Sequence, residues 1–142
     1  MKNFVISVLV TLLFTATANA EVYNNLKVLK VLDGDTVRIS APFLPKPLKP
    51  YLSIRVLGVD TPEKAPRAKC DVEAEHAVAA SAFTKRAIAE AKTIQIELKG
   101  WDKYGGRVLG DVILDGKRLS QLLIENDYAR EYWGGKKGSW CP

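Results

Sequence analysis

One histidine, two cysteines and one methionine in 142 residues leave little nitrogen or sulfur for catalysis, so any chemistry must rest on carboxylates, Arg, Lys or Tyr. Acidic residues gather at two turns, Asp33-Gly34-Asp35 and Asp60-Thr61-Pro62-Glu63, each after a strand-like run. If the two turns converge, their oxygens suit a hard cation, Ca²⁺ or Mg²⁺, and not zinc. Taken alone, Asp-Gly is ordinary hairpin chemistry. Arg55 lies between Ile54 and Val56, so its guanidinium must find an anion or face solvent, and Arg107 opens a strand after Asp102-Lys103-Tyr104-Gly105-Gly106. A planar guanidinium matches phosphate oxygens in pairs, and two beside one cation would stabilise a five-coordinate phosphorus. Each arginine alone reads more readily as a surface ion-pair partner; only the combination points to phosphate chemistry. His76 falls on a helical stretch away from both turns, as a partly exposed residue, and Glu73-x-x-His76 has no second copy to complete a metal site.

The elements that must hold these groups follow from periodicity. Asn25 to Ser40 alternates apolar and polar residues around the first Asp-Gly turn, and Tyr51 to Val59 resumes as strand. Between them Pro42, Pro45, Pro47 and Pro50 dictate an extended surface loop. A loop spans Asp60 to Cys70, a place where functional groups are often displayed. From Asp71, as N-cap, to Ala91 the sequence predicts a helix with Val72, Ala79, Phe83, Ala87, Ile88 and Ala91 along its apolar stripe. Strands are expected at Ile94 to Leu98, Arg107 to Leu114 and Tyr128 to Trp133, with a short helix at Leu119 to Asn126 and a tail from Gly134 to Pro142. The order predicts an α+β fold, a small β-barrel with packed helices.

With 47% hydrophobic and 26% charged residues and a net charge of +5, the composition is that of one globular domain. Lys2, the apolar run Phe4 to Phe14 and Ala18-Asn19-Ala20 have the layout of a cleavable export signal, too short for a membrane anchor. A single domain, residues 21–142, would remain, in the periplasm or secreted and with no membrane partner. In that oxidising setting Cys70 and Cys141 are the only possible intramolecular pair, and their bridge would pin the C-terminus to the middle of the chain. Lys99, Lys103, Arg107, Lys136 and Lys137, with Tyr104, Tyr132 and Trp133 nearby, are placed to line a groove for a polyanion.

Four blocks in order, Val31-Leu32-Asp33-Gly34-Asp35-Thr36, Ile54-Arg55-Val56-Leu57-Gly58-Val59-Asp60-Thr61-Pro62-Glu63, Ser81-Ala82-Phe83-Thr84-Lys85 and Asp102-Lys103-Tyr104-Gly105-Gly106-Arg107, resemble the staphylococcal nuclease (thermonuclease) family. The likeness runs from about Leu26 to Trp133 and implies a five-stranded oligonucleotide-binding (OB) barrel with helices. It also implies that Asp35, Asp60 and the main-chain carbonyl of Thr61 hold Ca²⁺. On the same likeness Glu63 directs or deprotonates the attacking water, and Arg55 and Arg107 hold the scissile phosphate. Lys103 and Tyr104 match residues near a neighbouring phosphate. The implied activity is a Ca²⁺-dependent endonuclease that cuts DNA and RNA with little sequence specificity, prefers single-stranded or frayed segments, leaves 3′-phosphates and acts as a monomer. A catalytically silent OB-fold nucleic-acid-binding protein and a Ca²⁺-stabilised periplasmic structural protein are the alternatives. Retention of the full acid and arginine set argues against the first, and Arg55 has no purpose in the second.

The sequence departs from the family's pattern in three places. An additional glycine precedes Arg107, the usual C-terminal helix is shortened or absent, and the Pro-rich loop is not part of the match. The bridge and Trp140 are expected to take over part of the missing helix's covering role.

Overall fold

Apolar residues at every second position give strands with one buried face, and five long strands use that pattern to enclose a core. In the computed structural model, which describes residues 19–103 and 105–142, the elements are β1 (Glu21–Tyr23), β2 (Val28–Asp33), β3 (Thr36–Ser40), β4 (Tyr51–Val56), β5 (Val59–Asp60), α1 (Asp71–Glu90), β6 (Ile94–Trp101), β7 (Val108–Leu114), β8 (Lys117–Arg118), α2 (Leu119–Glu125) and β9 (Arg130–Glu131). The first eighteen residues, most of the segment read as an export signal, lie outside the described residues, as does Tyr104. No helix among the described residues is long and apolar enough to cross a membrane.

The main sheet has seven strands in the order β1-β6-β7-β4-β3-β2, with β8 paired to β7. All pairs are antiparallel except β4 with β7, where Ile54 faces Val108. The two ends of the path, β1 and β2, are successive pieces of one N-terminal segment, so the sheet rolls onto itself. This is the OB-type α+β fold that the sequence implies: β2, β3, β4, β6 and β7 are its five strands, and β1 and β8 are short additions. Val37, Ile39, Ile54, Val56, Ile96 and Val112 point inward and are fully buried, with Leu119 and Leu123 of α2 closing the core.

Helix α1 differs from the sequence expectation in its cap and its face. Cys70, not Asp71, is the N-cap, and its Sγ accepts from the Glu73 main-chain N–H. Phe83, Ala87, Ile88 and Ala91 of the expected stripe pack against the core, whereas Val72 and Ala79 are exposed and the buried positions are Glu73, Ala77, Ala80, Ser81 and Thr84. The reason is proximity, because this face lies directly on the β2–β3 turn. A Cβ at Gly34 would stand 3.0 Å from the Ala80 Cβ. Thr84 Oγ1 donates to the Gly34 carbonyl at 2.7 Å. Small side chains are the ones that permit such an approach.

The Pro-rich loop extends the β3–β4 hairpin at the Ser40–Tyr51 end, opposite the end where Thr36 faces Arg55. It therefore lies away from the acidic turns, and Phe43 within it stacks on Tyr23 with ring centroids 6.1 Å apart. At the C-terminus no helix follows β9. Residues 134–142 instead run back across the molecule as an irregular strap, and the expected bridge between Cys70 and Cys141 ties its end to the start of α1.

Candidate active site

The candidate side chains are set by four places in the sheet, the β2–β3 turn, β4, the end of β5 and the start of β7, and Asp35, Arg55, Thr61, Glu63 and Arg107 meet at one rim. Asp35 leaves the β2–β3 turn, which α1 braces from below through Thr84. Arg55 comes from β4 directly opposite Thr36, and the Val56 N–H donates to the Asp35 carbonyl at 2.8 Å. Asp60 ends β5, held in place by the pairing of β5 with β9. Thr61 and Glu63 follow on the loop. Arg107 stands one residue before β7, where the 102–107 turn closes through Asp102 and Arg107 main-chain atoms at 2.9 Å. Gly105 and Gly106 both adopt positive φ, at 70° and 73°, which lets the longer turn return Arg107 to the rim.

Asp35, Arg55, Thr61, Glu63 and Arg107 thus line one cavity of about 230 Å³. An adjoining groove of about 490 Å³ is lined by Arg55, Arg107, Lys103, Tyr132 and Trp133. The sequence placed these residues in one site, and the fold brings them together. Lys99, by contrast, opens onto a separate cavity with Asp111 and Arg118, and does not join this group.

The guanidinium of Arg55, only 15% exposed, finds the anion that the sequence required: its Nη1 lies 2.7 Å from Asp35 Oδ2. The same group donates to the Val56 and Val59 carbonyls at 3.1 and 3.0 Å, which ties the β4–β5 connection to the turn. Thr36 Oγ1 donates to the other Asp35 oxygen at 3.0 Å. Arg107 pairs with Asp102 at 2.7 Å. Glu63 is partly exposed and accepts from Arg67 Nε at 3.0 Å.

Asp35 and Asp60 are each only 6% exposed. Asp35 and Thr61 line the cavity, whereas Asp60 is absent from its lining and meets it through Lys137; carboxylate and carbonyl oxygens, with no sulfur or imidazole, are the donor chemistry that suits a hard divalent cation. The only group of three or more acidic, His or Cys side chains converging among the described residues is Cys70, Glu73 and Cys141, whose two sulfurs are bonded to each other. A cation at Asp35 and Asp60 would therefore complete its shell from the main chain, water or substrate.

Sequence reasoning missed the contacts of three supporting residues, although it named Lys137 for the groove and Trp140 for the covering role of the tail. Buried Glu73 accepts from the Glu63 N–H at 3.1 Å and the Lys69 N–H at 2.7 Å, so α1 anchors both ends of the 63–69 loop. Its signal was its place three residues after Cys70, the spacing at which an N-terminal carboxylate reaches back to main-chain donors. Lys137 Nζ lies 2.8 Å from Asp60 Oδ1, and Trp140 Nε1 donates to Asp60 Oδ2 at 3.2 Å. No local pattern announces contacts made across almost eighty residues. His76, outside the cavity, packs edge-on to Trp140 with ring centroids 5.1 Å apart, so it supports the strap.

The carboxylates with displaced acidities lie elsewhere. A hydrogen bond from Arg118 holds Glu97 below its ordinary range. Burial pushes Asp111 up, against the opposing hydrogen bond from Ser120. Both brace β6, β7 and α2 and do not face the cavity.

A family model described as staphylococcal nuclease homologue matches residues 53–138, which include Arg55, Asp60, Thr61, Glu63, Arg107 and Lys137. Endonuclease YhcR of Bacillus subtilis (strain 168) is 30% identical over 110 residues, which is 73% of this chain and 8% of that protein. The chain thus spans a small part of the relative it matches.

Proposed function

The chain belongs to the staphylococcal nuclease family, and from that premise we propose that it is an exported, Ca²⁺-dependent endonuclease acting on DNA and RNA with little sequence specificity. The observation that carries this reading is the convergence of Asp35, Arg55, Glu63 and Arg107 on one cavity of about 230 Å³ beside a basic, aromatic groove. Such a groove grips splayed bases and phosphates, which favours single-stranded or frayed substrate. The layout of the first twenty residues and the disulfide support export to the periplasm or beyond.

Catalysis would proceed by attack of water on phosphorus and departure of the 5′ oxygen, leaving a 3′-phosphate. Glu63 takes or directs the water's proton, which passes on to the departing oxygen. Arg55 and Arg107 pair with the non-bridging oxygens and offset the charge that grows on them. Lys103 and Tyr132 line the groove where the adjoining nucleotide sits, and the same role is proposed for Tyr104. Asp35, Asp60 and Thr61 would hold the divalent cation, whose chemistry is to polarise a phosphate oxygen and acidify bound water.

The test is digestion of single-stranded DNA by the purified, oxidised protein in Ca²⁺, Mg²⁺ or chelator. Cleavage is expected in Ca²⁺ and absent in chelator, and Glu63→Gln and Arg55→Ala each lose at least ~100-fold, about 2.7 kcal/mol of transition-state stabilisation. Binding without cleavage by the native protein would instead establish the silent barrel.

A further inference from the structure

The two buried carboxylates assigned to the cation are each held by a basic side chain, Asp35 by Arg55 at 2.7 Å and Asp60 by Lys137 at 2.8 Å. The parallel is close, since both cations line the cavity and the adjoining groove, a property they share with Arg107. Lys137 is 44% exposed at its side chain whereas Asp60 is 8%, so the ammonium stands between a buried anion and the open cavity.

The strap just beyond Lys137 is held at several points. The Arg130 guanidinium lies 3.9 Å over the Trp140 ring and donates to the Ser139 carbonyl at 2.6 Å. Trp140 holds the second Asp60 oxygen, and the Cys70–Cys141 bridge fixes the end of the strap. A lysine on a random tail would gain little by such anchoring. One that must stay at the cavity while its partner changes depends on it.

From this we infer that Lys137 is a further substrate-binding residue: when a divalent cation takes Asp60, the ammonium exchanges that carboxylate for a phosphate oxygen of the bound strand. The inference rests on the nuclease reading. Its physical basis is electroneutrality. Without a cation, Asp60 neutralises Lys137; with one, the same carboxylate is spent on the cation, and a freed ammonium on a flexible four-carbon stem pairs with the nearest anion. Cation and strand then bind with positive coupling, each removing the other's competitor.

The experiment measures binding of a fluorescein-labelled dodecathymidylate to the oxidised Glu63→Gln protein, in Ca²⁺ and in chelator, over a range of salt. In Ca²⁺, Lys137→Met is expected to weaken binding by about 5- to 20-fold and to lower the slope of log K against log salt by about 0.7, the value of one single-strand phosphate contact. Lys137→Arg keeps the slope. In chelator the Met variant matches its parent, and without DNA it binds Ca²⁺ more tightly by calorimetry, because a competitor for Asp60 is gone. An unchanged slope in Ca²⁺ overturns the inference and leaves Lys137 as a neutralising partner only. Equal weakening with and without Ca²⁺ overturns the exchange. If the native protein cleaves DNA while Lys137→Met leaves the slope intact, this inference alone falls. If the native protein neither cuts nor binds the strand, the nuclease reading falls with it.

Discussion

Removal of the Cys70–Cys141 bridge tests how much of this small barrel depends on its C-terminal strap. The bridge spans a sequence separation of 71, and in the chain-entropy account a loop of that size restrains the unfolded chain by about 4 kcal/mol. Unfolding entropy near ~2.1 cal/mol/K per residue, over the ~120 residues that order, converts this to a fall in thermal midpoint of about 15 °C. The perturbation is the double variant Cys70→Ser/Cys141→Ser, which avoids a stray thiol. Serine at position 70 also remains a good N-cap for α1 in place of the sulfur that accepts from Glu73. Calorimetric scans of the variant and of reduced native protein are expected to agree. A fall of less than ~3 °C in both would refute the reasoning and show that the bridge does not restrain the unfolded chain as the entropy account requires.

Three further outcomes follow from the packing and electrostatics. Glu73→Gln removes the charge behind two main-chain hydrogen bonds at 3.1 and 2.7 Å; stability should fall by about 1.5–3 kcal/mol in urea unfolding, and kcat should fall with little change in KM as Glu63 loses its position, whereas unchanged kinetics would remove Glu73 from the site's support. Gly110→Ala places a Cβ 2.0 Å from the Glu97 carbonyl oxygen, so β6 and β7 must separate at a cost of at least ~3 kcal/mol, and an unaltered urea midpoint would contradict this packing. The hydrogen bond from Arg118 holds the folded pKa of Glu97 below its unfolded value. Its contribution is therefore present above the ordinary carboxylate range and lost as pH falls through the lowered folded value. Glu97→Gln should accordingly show a shallower acid loss of stability than the parent, and an equally steep one would refute the pairing. Asp111, raised by burial, acts with the opposite sign, since it favours the folded state most when protonated.

The strands and the residue types gathered at the candidate site were legible from the sequence because their signals are local. Period-2 alternation marked β3 and β4, proline spacing marked the loop between them, and the scarcity of His and Cys confined any chemistry to carboxylates, Arg, Lys or Tyr. The bridge was legible for a simpler reason, since two cysteines admit one intramolecular pair. The face of α1 was legible only in part. The hydrophobic stripe found Phe83, Ala87, Ile88 and Ala91, which pack against the core, but not the buried Ala77, Ala80, Ser81 and Thr84, whose burial follows from the close approach to the Gly34 turn, a distance that no helical pattern encodes. Pairings between remote segments were equally hidden. That Asp60 is held by Lys137 and Trp140, and that the lengthened 102–107 turn still brings Arg107 to the cavity, depends on where the strand ends and the strap lie in space. Residue types determined which chemistry was possible, and only the rolled sheet, by bringing distant strand ends to one rim, decided which charges meet.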